Sequence, residues 1–472
     1  MAHVASIHIL DDDSLLHLFC LYRPIIFDED ESDYTHSIGG IGWDCERWWF
    51  KLTQVCRRWR VLILGSASYL GLCLVCTYGT PVVDMILHSP PLPLVIDYFE
   101  EHRDIAAEDA EGVILALEQR DRVRRIRLNT PVPQLQKIIM VIDGEYPVLE
   151  YLIIPATEVK STALILPGAF QAPHLRHLAL RDIALPIGSR LLTIPVGIVT
   201  LCLSMGHQSA YFQPHTLLRW ISFMPQLERL LIYSDYSIDR GVERQLLHAP
   251  TTTHVTLPNL HLLEFQGGIA YMEALFCQIT TPRLQKLVIH LPWHLTFSVP
   301  PLLHFMNTTE NPRFEGAKVV FARDNEVYVE VYPHEEAEMY ALSIHVYSRD
   351  LDWQVSSVAR IINLLGQRCS TVEHLTIKHD VNCRSSEELD KVDRAEWHKL
   401  LRSFGKVKTL HVDGLIKELS RSLRLDDGDL PLELLPELQE LTYSGSGDAN
   451  AFTSFIVSRQ NAGCPVTLMR HG

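Results

Sequence analysis

One short pattern of apolar and polar positions keeps returning along this 472-residue chain. An aliphatic residue is followed by two variable positions, then Leu or Ile, one more variable position, and another apolar residue. Its copies are Val123/Ile126/Leu128, Leu149/Leu152/Ile154, Leu175/Leu178/Leu180, Ile198/Leu201/Leu203, Leu227/Leu230/Ile232, Leu260/Leu263/Phe265 and Leu284/Leu287/Ile289. After a gap it resumes at Val372/Leu375/Ile377, Val407/Leu410/Val412 and Leu438/Leu441/Tyr443. The fourth and sixth positions alternate as on a strand, and the first closes the turn before it. One such strand cannot bury its inner face alone, so successive copies must stack into a parallel sheet.

Helical spacing fills the intervals. Thr216 to Met224 leads directly into Pro225-Gln226-Leu227, Val355, Val358, Ile362 and Leu365 precede Val372, and Trp397, Leu400, Leu401 and Phe404 precede Val407. Helix then strand, repeated, predicts a right-handed α/β solenoid. The unit resembles a leucine-rich repeat, without the Asn or Cys that usually follows the strand; Thr157, Ile183, Asp235 and Gly268 stand there. Steps run from 23 residues (Leu175 to Ile198) to 35 (Val372 to Val407), an irregular array. The template breaks over 308–353. There Val319 to Val331 predicts a hairpin across Arg323-Asp324-Asn325-Glu326, and Ala341 to Tyr347 one more strand, with degenerate repeats pairing antiparallel at their edge.

The N-terminus has a different texture. Asp11, Asp12 and Asp13 open a helix where unpaired N–H groups favour negative charge, and Leu15, Leu16, Leu18 and Phe19 supply its apolar content. Further on, Leu52, Val55, Cys56 and Trp59 hold the i, i+3, i+4, i+7 spacing of one helix face, with Arg57, Arg58 and Arg60 on the solvated faces. Some 55 residues are too few to bury this much apolar surface internally, so part of it is expected to dock on a partner.

The Val55-Cys56-Arg57-Arg58-Trp59-Arg60 run behind Asp12-Asp13-Ser14-Leu15-Leu16-His17-Leu18-Phe19 resembles an F-box. Two departures mark it. Asp11 follows Leu10 where an F-box usually has Leu-Pro, and an acidic insertion at 24–47 separates the halves. The resemblance implies a small helical F-box-like module (1–66), a connecting segment with the first irregular repeats (67–121), and a leucine-rich-repeat-like α/β solenoid (122–472), degenerate at 308–353. Together with Cys76 to Pro81 and Ser89 to Leu94, the arrangement resembles the expanded F-box families of basidiomycete fungi. It implies the substrate-recognition subunit of an SCF-type ubiquitin ligase. Leu10, Leu15, Leu16, Phe19, Leu52, Val55, Cys56 and Trp59 would meet a Skp-type adaptor and, through it, a cullin scaffold. The alternative is a protein-binding scaffold acting outside a ligase.

The variable strand positions are then the candidates for holding a protein substrate. They are Arg125, Arg127, Tyr151, His177, Arg181, Arg229, Tyr233, Glu264, Lys286, His290, His374, Lys378, His411 and Asp413. Aromatic and Arg side chains are favoured at such surfaces.

Composition narrows the remaining classes. A net charge of −15 argues against nucleic-acid binding, which needs clustered cations to displace counterions; Arg120 to Arg127 is the local exception. No secretory signal and no membrane-spanning run is legible. The ten cysteines lack framework spacing, so reduced thiols in cytoplasm or nucleus are expected, with Cys73 and Cys76 as small apolar strand residues. No phosphate loop, Gly-x-Ser-x-Gly or His-Glu-x-x-His occurs, and Ser444 to Gly447 reads as a polar turn. His174 and His177 do not share a strand face. Neither catalytic residues, metal ligands nor a cofactor are expected, although 23 histidines leave room for a grouping that spacing cannot reveal.

Overall fold

The computed structural model describes residues 10–23, 47–99, 105–156, 164–186, 188–194, 196–206, 210–234, 254–291, 314–322, 326–334, 341–348, 351–379, 394–424, 433–444 and 450–471. The insertion up to residue 46, Thr157, Asp235, the hairpin turn at 323–325 and the glycines at 445 and 447 lie outside these. Two compact units divide the chain, Met1–Phe212 with Phe223–Leu227, and Gln213–Ser222 with Glu228–Gly472.

The first unit opens with four helices, α1 (Asp12–Tyr22), α2 (Trp48–Thr53), α3 (Arg57–Gly65) and α4 (Ala67–Leu70). The Asp11 carboxylate accepts from the Ser14 amide at 2.7 Å and caps α1, a substitute for the rigid start that Pro would give. Leu52, Val55, Cys56 and Trp59 do not share one helix. The chain breaks between Thr53 and Arg57, where Cys56 is extended and its Sγ accepts from the Trp59 amide, capping α3. Arg58 and Arg60 are not simply solvated either. Arg58 forms a salt bridge with Asp12 and donates to the Leu10 carbonyl, and Arg60 donates to the Thr53 carbonyl.

Six parallel strands follow in sequence order: β1 (Leu74–Cys76), β2 (Leu94–Tyr98), β3 (Val123–Leu128), β4 (Tyr151–Pro155), β5 (His177–Arg181) and β6 (Thr200–Met205). Helices α5 (Val82–His88), α6 (Ala107–Glu118) and α7 (Val132–Ile139) connect the early ones.

In the second unit, α8 (Pro214–Ile221) precedes β7 (Arg229–Ser234), β8 (Leu262–Gln266), α9 (Ile269–Phe276) and β9 (Lys286–Leu291). Then come β10 (Gly316–Phe321), β11 (Glu326–Tyr332), β12 (Leu342–Tyr347), α10 (Leu351–Cys369) and β13 (His374–His379). The remainder is α11 (Arg394–Arg402), β14 (Thr409–Asp413), α12 (Ile416–Ser422), β15 (Glu440–Ser444), α13 (Thr453–Asn461) and β16 (Thr467–His471). Strand order is β7-β8-β9-β12-β11-β10-β13-β14-β15-β16, parallel except that β11 runs antiparallel to both its neighbours. The antiparallel pairing therefore lies inside this sheet, between β9 and β13, and not at an edge.

The repeat template accounts for the core. In all ten copies the first, fourth and sixth positions are at most 4% exposed. Template side chains meet the connecting segments: Phe265 packs on Tyr271 and Phe276 of α9, and Tyr443 on Phe452 just ahead of α13; in the stretch that breaks the template, Phe321 of β10 likewise packs on Trp397 of α11. The result is a mixed α/β fold with long, largely parallel sheets, one face of each turned to helices and the other carrying the variable positions.

Candidate functional site

At the N-terminus, the two motif halves meet across the intervening insertion. The Trp59 ring stands edge-on to Phe19 at 4.9 Å, and Arg58 holds Asp12 through Nε and Nη2 at 3.0 and 2.7 Å. The Asp11 carboxyl is held below the usual carboxylate range by hydrogen bonds from the Ser14 amide and hydroxyl. Of the adaptor candidates, Leu15 and Phe19 are buried and hold the helices together, so they offer no surface. Leu10, Leu16, Leu52, Cys56 and Trp59 are half-buried, and Val55 is exposed. Leu18, Leu21, Phe50 and Val61 on the same helices are exposed as well, although none of them is among the eight adaptor candidates.

On the variable face of the first unit, side chains stack across strands less than 5 Å apart. Arg125 lies over the Tyr151 ring at 4.7 Å, and Tyr151 stacks on His177 at 4.1 Å with an interplanar angle of 9°. The three occupy one register row, Arg125↔Tyr151↔His177. Arg181 is exposed. Arg127 is not available to a partner: its Nε and Nη2 each reach an Asp97 carboxylate oxygen at 2.8 Å, and its guanidinium lies over Phe99. Neither side chain is more than 12% exposed.

The corresponding face of the second unit mixes covered and open positions. Tyr233 and Lys286 are buried, correcting their assignment to a solvated surface: Tyr233 lies opposite Gln266 of β8, and Lys286 sits on a strand flanked on both sides, by β8 and β12. Arg229 is half-buried. Toward the C-terminus, His374 Nδ1 is 2.7 Å from Thr409 Oγ1, His411 is half-buried, and Lys378 pairs with Asp413, which also accepts from Ser444.

Between these regions lies a grouping that the sequence did not disclose. His290 and His345 are register partners on β9 and β12, stacked at 4.2 Å. His345 Nδ1 is 2.7 Å from Glu326 Oε1 on β11, and its Nε2 is 2.8 Å from Ser343 Oγ. On the other side, His290 Nε2 is 3.6 Å from Glu264 of β8. Burial pulls the Glu326 carboxyl up, but the hydrogen bond from His345 and the two imidazoles outweigh it, leaving it below the usual range. Burial lowers the His345 imidazole, against the pull of Glu326.

No family model matches the chain, and no curated protein matches it. Among solved structures, the crystal structure of the TLR13–ssRNA13 complex is similar, at 15% identity and a TM-score of 0.24. The match covers 68% of this chain and 45% of that one, so the chain spans under half the length of that relative.

The strand alternation puts Glu264 and His290 on the same face of neighbouring strands, and there they meet. Glu326 and His345 escaped because they lie where the template breaks, and nothing in the spacing says which strand β12 adjoins. The period-two alternation of Leu342 to Tyr347 is the one signal that puts His345 on the polar side. Among the described residues, no helix is long and apolar enough to cross a membrane.

Proposed function

We propose that this chain is a substrate receptor of an SCF-type ubiquitin ligase. Its N-terminal helical module is the F-box that engages a Skp-type adaptor and, through it, a cullin, and the variable faces of the repeat strands hold a protein substrate. The observation that carries this reading is the assembly of both motif halves into one small unit. Arg58 of the second half holds Asp12 and Leu10 of the first, while Val55 and neighbouring apolar side chains stay exposed. Exposed apolar side chains concentrated on one small helical module are what a protein partner covers. The receptor's contribution is then proximity: adaptor and substrate held on one chain raise the effective concentration of a target lysine.

The test is co-purification of the full chain with the Skp-type adaptor, wild type against Val55→Asp. Since Val55 is 58% exposed, the substitution should leave folding within about 0.5 kcal/mol of wild type. A stoichiometric complex lost in the variant supports the receptor. A folded chain that forms no complex overturns it and leaves a binding scaffold outside the ligase.

A further inference from the structure

The grouping on β9, β11 and β12 owes nothing to the adaptor reading, and its chemistry differs from the rest of the polar face. His290, Glu326 and His345 each place one potential ligand atom within 4.8 Å of the others. Their side chains are 17%, 19% and 17% exposed, enough for an ion to enter from one side. We propose that these three residues form a binding site for a divalent transition-metal ion of the zinc class.

The arrangement of the two imidazoles supports this. His290 Nε2 faces the Glu264 carboxylate, while its Nδ1 is buried and makes no hydrogen bond. A buried ring nitrogen with no partner is costly as pure structure, and it is the donor a metal would use. His345 has the same disposition, with Nε2 on the Ser343 hydroxyl and Nδ1 toward Glu326. His345 is thus anchored through Nε2 by a hydroxyl, and His290 turns Nε2 toward a carboxylate 3.6 Å away, so both rings present Nδ1, close to the outer-shell pattern of metal-bound histidine.

Distances agree. Ligand bonds of about 2.0–2.2 Å set tetrahedral donors about 3.3 Å apart. That lies between the present 2.7 Å His345–Glu326 hydrogen bond and the 4.8 Å within which one potential ligand atom from each residue falls. Binding therefore replaces the shared proton between His345 and Glu326 and draws His290 inward by a side-chain rotation. Two imidazoles and one carboxylate select a transition metal over Ca²⁺ or Mg²⁺, which take oxygen ligands. Three protein donors leave at least one coordination position open, as in catalytic and exchange-competent zinc sites.

The experiment titrates the chelator-treated full chain with Co²⁺, whose visible absorption reports low-coordinate nitrogen and oxygen ligation, and then displaces it with Zn²⁺. The expected result is one saturable Co²⁺ per chain with ligand-field bands, lost on adding Zn²⁺. Outer-shell changes weaken such sites about 10–100-fold, so Glu264→Gln should fall in that range. Glu326→Gln and His290→Ala, which remove ligands, should weaken binding by about 100-fold or more. Circular dichroism without metal establishes that each variant is folded. Glu326→Gln keeps the side chain's size and decides the matter if His290→Ala does not fold. Absence of the bands in the wild type overturns the proposal. So do bands of equal strength in Glu326→Gln, which would place the ion on other histidines.

Discussion

Removing the Asp97 carboxylate gives a sharp test of how the first unit is held together. Its two oxygens receive both forks of Arg127 at 2.8 Å, and the side chains are 12% and 7% exposed. Asp97→Ala leaves a guanidinium inside the fold without its counter-charge. Breaking a buried pair on one side costs about 3–5 kcal/mol, because the remaining ion still bears its desolvation. Hydrogen exchange on peptides covering β2 and β3 reads this directly. At about 1.4 kcal/mol per tenfold, protection should fall by roughly two to four powers of ten. The double variant Asp97→Leu, Arg127→Met removes both charges and should recover to within about 1 kcal/mol of wild type, since apolar replacement of a whole buried pair is often neutral. A loss of less than tenfold in Asp97→Ala, or a double variant as damaged as the sum of the singles, would refute the reasoning.

Other outcomes follow from the same contacts. Trp59→Ala, at a half-buried ring set edge-on to Phe19, should cost about 2 kcal/mol in urea unfolding, below the 3–5 of a fully buried tryptophan. Tyr151→Ala removes both the Arg125 and the His177 stack and should lower stability by about 1–3 kcal/mol, read by thermal unfolding. Burial pushes the Cys76 and Cys369 thiols up to about 12. Both should stay protonated, and unmodified by iodoacetamide in the native chain at pH 8, until denaturant exposes them. Gly414 adopts φ +80 with the His379 carbonyl oxygen 3.2 Å from where a Cβ would sit. Gly414→Ala should therefore destabilise the second unit by about 1–2 kcal/mol in a denaturant titration.

What could be read from the chain follows from what sets each feature. The strands were legible because burial at the first, fourth and sixth positions is a local demand, repeated until chance is excluded. The break at Cys56 was not. Leu52, Val55, Cys56 and Trp59 satisfy helical spacing equally well when one helix ends at Thr53 and Cys56 caps the next. Strands β2 and β16 lack the template, so Asp97 could not be foreseen as the partner of Arg127. Glu326 and His345 were hidden by topology, since a pattern along the chain fixes which way a side chain faces but not which strand lies beside it.

Topology also settles an arithmetic question about the interruption. Between β9 and β13 the second unit inserts β12, β11 and β10, and direction reverses twice, once on each side of β11. Two reversals cancel, so β13 sets off the same way as β9. The register row His290, His345, Tyr328, Val320, Lys378 stays on one side throughout. A lone inserted hairpin would have made the count even and sent every later repeat backwards, its connections emerging from the wrong end of the sheet. The odd number of strands is what lets the helices α11, α12 and α13 return to the side already occupied by α9, so that a foreign piece of sheet can sit within a repeat array and leave its polarity intact.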